Sequence, residues 1–164
     1  MTLALVLDVI ARYLHIFSIL VWMGHNYANV IQSPQFKPAQ PTNREAMTVA
    51  MKREHGTFRY ASLVALVTGV YMLWFRDMFI DALTLSGHAV VMGVGVWLGL
   101  IMVLNLWFVL WPNQKKVLGF VPASDEDRVR CSRITFLSSR TNTILSIATL
   151  FFMISGAHGL ILFE

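Results

Sequence analysis

The chain has almost nothing to cross-link it and little to dissolve it. Its 164 residues include a single cysteine, Cys131. That excludes an intrachain disulfide, a C-x-x-C-H haem attachment and a four-thiolate metal site within this chain. Charged residues make up only 13% of the chain, where soluble domains carry about 25%. A basic region ahead of the first apolar run is missing, and that run is long and interrupted by polar residues, so no cleavable signal peptide is expected. There is no internal repeat and no low-complexity segment. The net charge of +4 is carried in loops between apolar runs, as orientation signals are, so nucleic acid is not an expected partner.

Apolar residues are abundant: 56% of the chain is hydrophobic and the mean hydropathy is +0.60. Four apolar segments, 3–31, 57–75, 88–111 and 143–162, each reach or approach the ~20 residues that span a bilayer. With their polar flanks they predict helices over about 3–32, 44–76, 87–112 and 135–162 in one transmembrane domain, 1–164. The expected fold is all-α, an integral membrane four-helix bundle. Its first loop is proline-rich and ends helix 1 near Gln32; its second, Arg76 to Gly87, is short and amphipathic; its third is long and charged. Of the 13 lysines and arginines, all but Arg12 and Arg76 lie in or beside the first and third loops. By the positive-inside rule both termini are then periplasmic, in a multi-pass protein of a bacterial inner membrane.

Helix 1 carries an unusual polar stripe. At about 100° per residue, Asp8, His15, Trp22 and Asn29 fall on one line. Arg12, Ser18, His25 and Asn26 lie within about 80° of it. Ionisable groups facing lipid cost several kcal/mol each, so the stripe is expected to face other helices or a cofactor. Asp8, His15, Ser18, Trp22 and His25 should point inward, with Phe17, Leu20 and Val21 more peripheral. Asp8 and Arg12, four residues apart, read as a structural ion pair rather than a proton relay.

The other helices offer matching faces. His55, Arg59, Ser62 and Gly69 share one side of helix 2, and Asn142, Ser146, Thr149, Met153 and Gly156 line up in helix 4. In helix 3, His88, Gly95, Gly99 and Met102 share a face, and the Gly95/Gly99 pair allows close approach of a helix or a flat ligand.

Depth divides the five histidines into an inner pair, His25 and His55, and an outer set, His15, His88 and His158. Inward imidazoles from different helices are a common way to hold haem b iron, so all five are candidate ligands for one or two haems, with His15 the first choice. The alternatives are interhelical hydrogen bonding by the same histidines, or a zinc site, which lacks the tight H-x-x-x-H spacing.

Two stretches carry a resemblance: N-L-W-F-V-L-W-P-N-Q-K-K-V-L, Asn105 to Leu118, and R-T-N-T-I-L-S-I-A-T-L-F-F-M-I-S-G-A-H, Arg140 to His158. They resemble the membrane domain of bacterial membrane-bound urate oxidases. R-Y-L-H-I-F-S-I-L-V-W-M-G, Arg12 to Gly24, is similar to that domain's first helix, and Glu54 to Ser62 more loosely to the approach to its second. By this resemblance His15, His55 and His158 match recurrent histidines of the family. Thr141 and Thr143 stand where the family has His and Asn, and Ala157-His158 replaces its Asn-His. The resemblance implies a stand-alone version without the family enzymes' further helices and cytochrome c domain. The expectation is a haem b electron-transfer subunit of a larger bioenergetic complex, partnered by lipid, other subunits and a c-type cytochrome, with no catalytic residue assigned. A cofactor-free accessory subunit and a urate oxidase-like oxidoreductase are the alternatives.

Overall fold

A computed structural model describes residues 3–39, 48, 49, 52 and 55–159. Most of the polar lead-in expected to open the second helix, before His55, lies outside the described residues. Among those described, helix is the regular secondary structure and there is no strand. Helix α1 runs Leu3–Gln32 and α2 runs Thr57–Phe75. A short α3, Phe79–Thr84, and a 3-10 turn, Gly87–Ala89, lead into α4, Val90–Leu104. A π-helical segment, Asn105–Leu110, continues into α5, Trp111–Leu118, and α6 spans Asp125–Ala157. Four helical stretches, Leu3–Gln32, Thr57–Phe75, Gly87–Leu118 and Asp125–Ala157, are long and apolar enough to cross a membrane.

The boundaries follow from local chemistry. The Ser33-Pro34 step stops α1 because proline cannot continue its ladder. Gly56 adopts φ 68° ahead of α2, and a Cβ there would meet Arg59 Nη2 at 2.6 Å, so the break before α2 requires glycine. Ser124 caps α6 by accepting the Asp127 N–H at 3.1 Å, and Asp125, Glu126 and Asp127 suit the positive end of the helix dipole. That cap starts α6 ten residues before the expected 135, because a charged first turn can stand outside the apolar layer. The third helix also outruns its expected end at Pro112. The π turn just upstream widens the helix, so the Trp111 N–H reaches Leu106 O and the proline ring is accommodated. Lys115 and Lys116 then occupy the last turn before Gly119, the left-handed cap at φ 88°.

Two antiparallel pairs build the bundle: α1 against α2, and α4–α5 against α6, with sparser contact between the pairs. Three contacts set the α1–α2 register from one end to the other: Asp8 with Arg76, His15 with Ala65, and His25 with Phe58. The second pair closes over glycine. A Cβ on Gly95 would lie 3.1 Å from Met153 Cγ, and one on Gly156 would lie 2.8 Å from the Met92 nitrogen. The smooth Gly95 face therefore receives α6, not a flat ligand. Trp22, Met23, Phe58, Ala61, Met102, Leu106 and Leu110 form the apolar core between the pairs. Leu7, Ile10, Leu14, Phe17, Leu20, Ile144, Ile147, Phe151 and Ile154 remain exposed, and in a membrane they meet lipid.

Candidate functional site

The polar stripe of α1 turns inward in its greater part. Asp8, Ser18, Trp22 and Asn26 are buried, and His15 is half-buried. Phe17 and Leu20 face outward, as their positions on the wheel require. His25 departs from expectation: it is exposed and stacks flat on Phe58, with ring centres 4.3 Å apart. Asn29 is exposed as well. Near the end of α1, His25 lies against the first turn of α2 with its outer side exposed, and Asn26 rather than His25 is buried.

At one end of the stripe Asp8, 1% exposed, accepts from two arginines. Arg12 approaches one carboxylate oxygen with Nη2 at 2.5 Å and Nε at 2.8 Å. Arg76, from the end of α2, reaches the other at 2.9 Å. The ion pair expected within α1 is thus half of a three-residue knot that also ties α1 to α2. The signal for the missing half was that Arg76 is the one basic residue outside both the basic loops and helix 1.

His15 sits midway along the same interface. Its Nδ1 lies 2.8 Å from the Ala65 carbonyl and 3.1 Å from Thr68 Oγ1. A carbonyl oxygen can only accept, so Nδ1 carries the proton. Thr68 spends its own hydroxyl proton on the Val64 carbonyl at 2.6 Å. The lone pair of the neutral ring therefore resides on Nε2. Gly69 makes room for the imidazole, since a Cβ there would come within 3.0 Å of Cε1. The His55–Arg59–Ser62–Gly69 face of α2 accordingly divides: Arg59 and Ser62 are buried, Gly69 supports His15, and His55 is exposed at the helix approach.

His88 lies exposed in the 3-10 turn before α4, and His158 is exposed where α6 ends. The Met92–Gly156 contact puts these two at the same end of the bundle. His25 and His55 share the opposite end, where Phe58 opens α2. Among the described residues no cluster of three or more His, Cys, Asp or Glu side chains that could hold a metal ion forms.

A polar network around the π segment was not expected. Asn105 Nδ2 donates to Asn142 Oδ1 at 2.8 Å and to the Ser138 carbonyl at 3.0 Å, while Ser138 Oγ donates to Asn105 Oδ1 at 2.9 Å. Asn142 Nδ2 donates to the Met102 carbonyl at 3.2 Å, where the α-helical ladder gives way to π. Trp107 Nε1 donates to Ser62 Oγ at 3.1 Å, and Tyr27 pairs with Ser146 at 2.8 Å, so all four spanning helices are joined. The helix-4 line of Asn142, Ser146 and Thr149 announces half of this; an asparagine in mid-run, Asn105, was the overlooked signal.

At the end bearing His25, basic residues lie over aromatic rings. Arg59 is 3.2 Å from the Trp111 ring centre, Arg140 is 3.3 Å from that of Phe136, and Arg140 also donates to the Ser33 carbonyl. Guanidinium charge is held there at the margin of the apolar layer.

Four apolar helices, closed over glycine and tied by buried polar groups, define a multi-pass membrane protein. Within that class, residues 55–163 match the model of the urate oxidase N-terminal family. The match takes in more than half of the chain, and the protein belongs to that family. Helix α1, with His15 and His25, precedes the matched residues. No curated protein and no solved structure matches the chain.

Proposed function

We propose that this chain is a haem b-binding subunit that carries electrons within a larger membrane complex, with His15 as the principal axial ligand. One observation carries the reading: the Nδ1–H of His15 is fixed on the Ala65 carbonyl, which leaves Nε2 as the basic nitrogen. Metal-bound histidines are held in this way, because the second hydrogen bond selects the tautomer and the ring orientation. A bound haem would supply one-electron chemistry at this depth of the membrane. His15 would supply one axial nitrogen. For the other, His158 has precedence by family resemblance, with His88 as substitute, and His25 with His55 is the candidate pair for a second haem. The role of α2 is to present Ala65, Thr68 and Gly69, so that His15 is oriented before any ligand binds.

The same reading places the chain in a bacterial inner membrane with both termini periplasmic. Its partners are other subunits of the complex and a c-type cytochrome. A cofactor-free accessory subunit is the second reading. Its support is that the His15 bond by itself joins two helices, and that the Gly95 face is filled by α6. Urate oxidation rests on family membership alone.

The test is a reduced-minus-oxidised visible spectrum of the full chain purified from its source membrane, with haem measured per protein. Native protein should show a b-type spectrum. His15→Ala should lose most of the haem while keeping its helical circular dichroism, and His25→Ala should lose less. No haem in the native protein, or full haem in both variants, moves the assignment to the accessory subunit.

A further inference from the structure

Two side-chain donors in the middle of the bundle lack an acceptor among the described residues: Trp22 Nε1 and Asn26 Nδ2. Both residues are sealed, at 3% and 4% exposed. Four residues apart on α1, they share one face on successive turns. The side chains clustered with Trp22 are apolar: Met23, Phe58, Ala61, Met102, Leu106 and Leu110. Hydroxyls on the adjoining turns are committed elsewhere. Ser62 Oγ donates to the Arg59 carbonyl at 2.6 Å and accepts from Trp107; Ser146 Oγ donates to the Thr143 carbonyl at 2.7 Å and pairs with Tyr27. The opposite wall is the π segment, a distortion common at functional sites.

Proteins seldom leave buried N–H groups unmet, and in a bilayer no bulk water is at hand to meet them. The chemistry of the partner is narrow. Two donors ask for lone pairs, and against a wall of Met102, Leu106 and Leu110 a charged partner would be costly to bury. We infer that Trp22 and Asn26 form a binding site for an uncharged oxygen acceptor at the π segment. Its occupant is a lodged water molecule or the carbonyl of a small lipid-soluble compound. The site does not involve His15 and stands whether or not the chain binds haem.

Ultraviolet resonance Raman spectroscopy reads the hydrogen bond of an indole N–H directly. The full chain is recorded in detergent, and Trp22 is isolated by subtracting the spectrum of Trp22→Phe. Asn26→Leu keeps the indole and supplies a second readout should Trp22→Phe not fold. The native Trp22 band should lie at the bonded position and move to the unbonded one in Asn26→Leu. Organic extraction followed by mass spectrometry separates the sources. A carbonyl compound at one per chain, with the band shifting after extraction, identifies that ligand. A bonded band with an empty extract identifies water. An unbonded Trp22 band in the native protein, or a bonded one that Asn26→Leu leaves unmoved, overturns the site.

Discussion

Replacing Asp8 by Asn tests how α1 is held in register. The carboxylate is buried, and its two partners are not: the Arg12 side chain is 56% exposed and that of Arg76 is 32% exposed. Removing one member of a fully buried ion pair costs about 3–5 kcal/mol, because a charge is left uncompensated. Here the charges left behind can be hydrated at the helix ends, which reduces the expected loss to about 2 kcal/mol. The two arginines should contribute unequally. Arg12 is an i, i+4 partner on an exposed helix turn, so Arg12→Gln should cost less than about 1 kcal/mol. Arg76 joins two helices, so the coupling of Asp8→Asn with Arg76→Gln should reach about 1–2 kcal/mol in a double-mutant cycle. Asp8 lies seven residues, or ~10.5 Å of helix rise, before His15, so loosening this knot should also weaken the His15–Ala65 bond. The assay is equilibrium unfolding in mixed micelles followed by circular dichroism. An Asp8→Asn protein as stable as the native one, within about 0.5 kcal/mol, would refute the assignment of Asp8 as the α1–α2 register lock.

Gly156→Leu should destabilise the α4–α6 pair by about 1–3 kcal/mol through overpacking on Met92, whereas Gly24→Leu, where an added Cβ meets nothing within 4 Å, should cost much less in the same unfolding assay. Asn142→Leu removes the side chain that bonds both Asn105 and the Met102 carbonyl, and should lower stability by about 1–3 kcal/mol; an unchanged midpoint would mean that the π segment does not depend on that network. For topology, a reporter fused after Lys116 should behave as cytoplasmic and one fused at Glu164 as periplasmic; the reverse pattern would invert the orientation.

Much of this architecture is written in one dimension. Hydrophobic length and composition determined four spanning helices, because a chain so poor in charge has few other ways to satisfy its backbone. Helical periodicity determined that Asp8, Ser18 and Trp22 face inward, since a buried polar stripe is tolerable only against other helices. The same periodicity misplaced His25, because a 100° wheel does not say that at this level of α1 the ring lies flat on Phe58 at the start of α2 with its outer side exposed. It foresaw a close approach at Gly95 and left the visitor open; only packing decided for α6, by bringing the Met153 backbone to the glycine. Proline at 112 suggested a helix end, and the π turn overrode it by widening the helix one turn earlier. The cross-helix partners of Asp8 and His15 were beyond any local rule, because Arg76 and Ala65 are distant in sequence and meet them only through the antiparallel register of α1 and α2. The sequence thus determined which polar groups had to be hidden; the tertiary structure decided what each was hidden against, because hydrogen bonds and ion pairs depend on ångström distances between helices that sequence spacing does not encode.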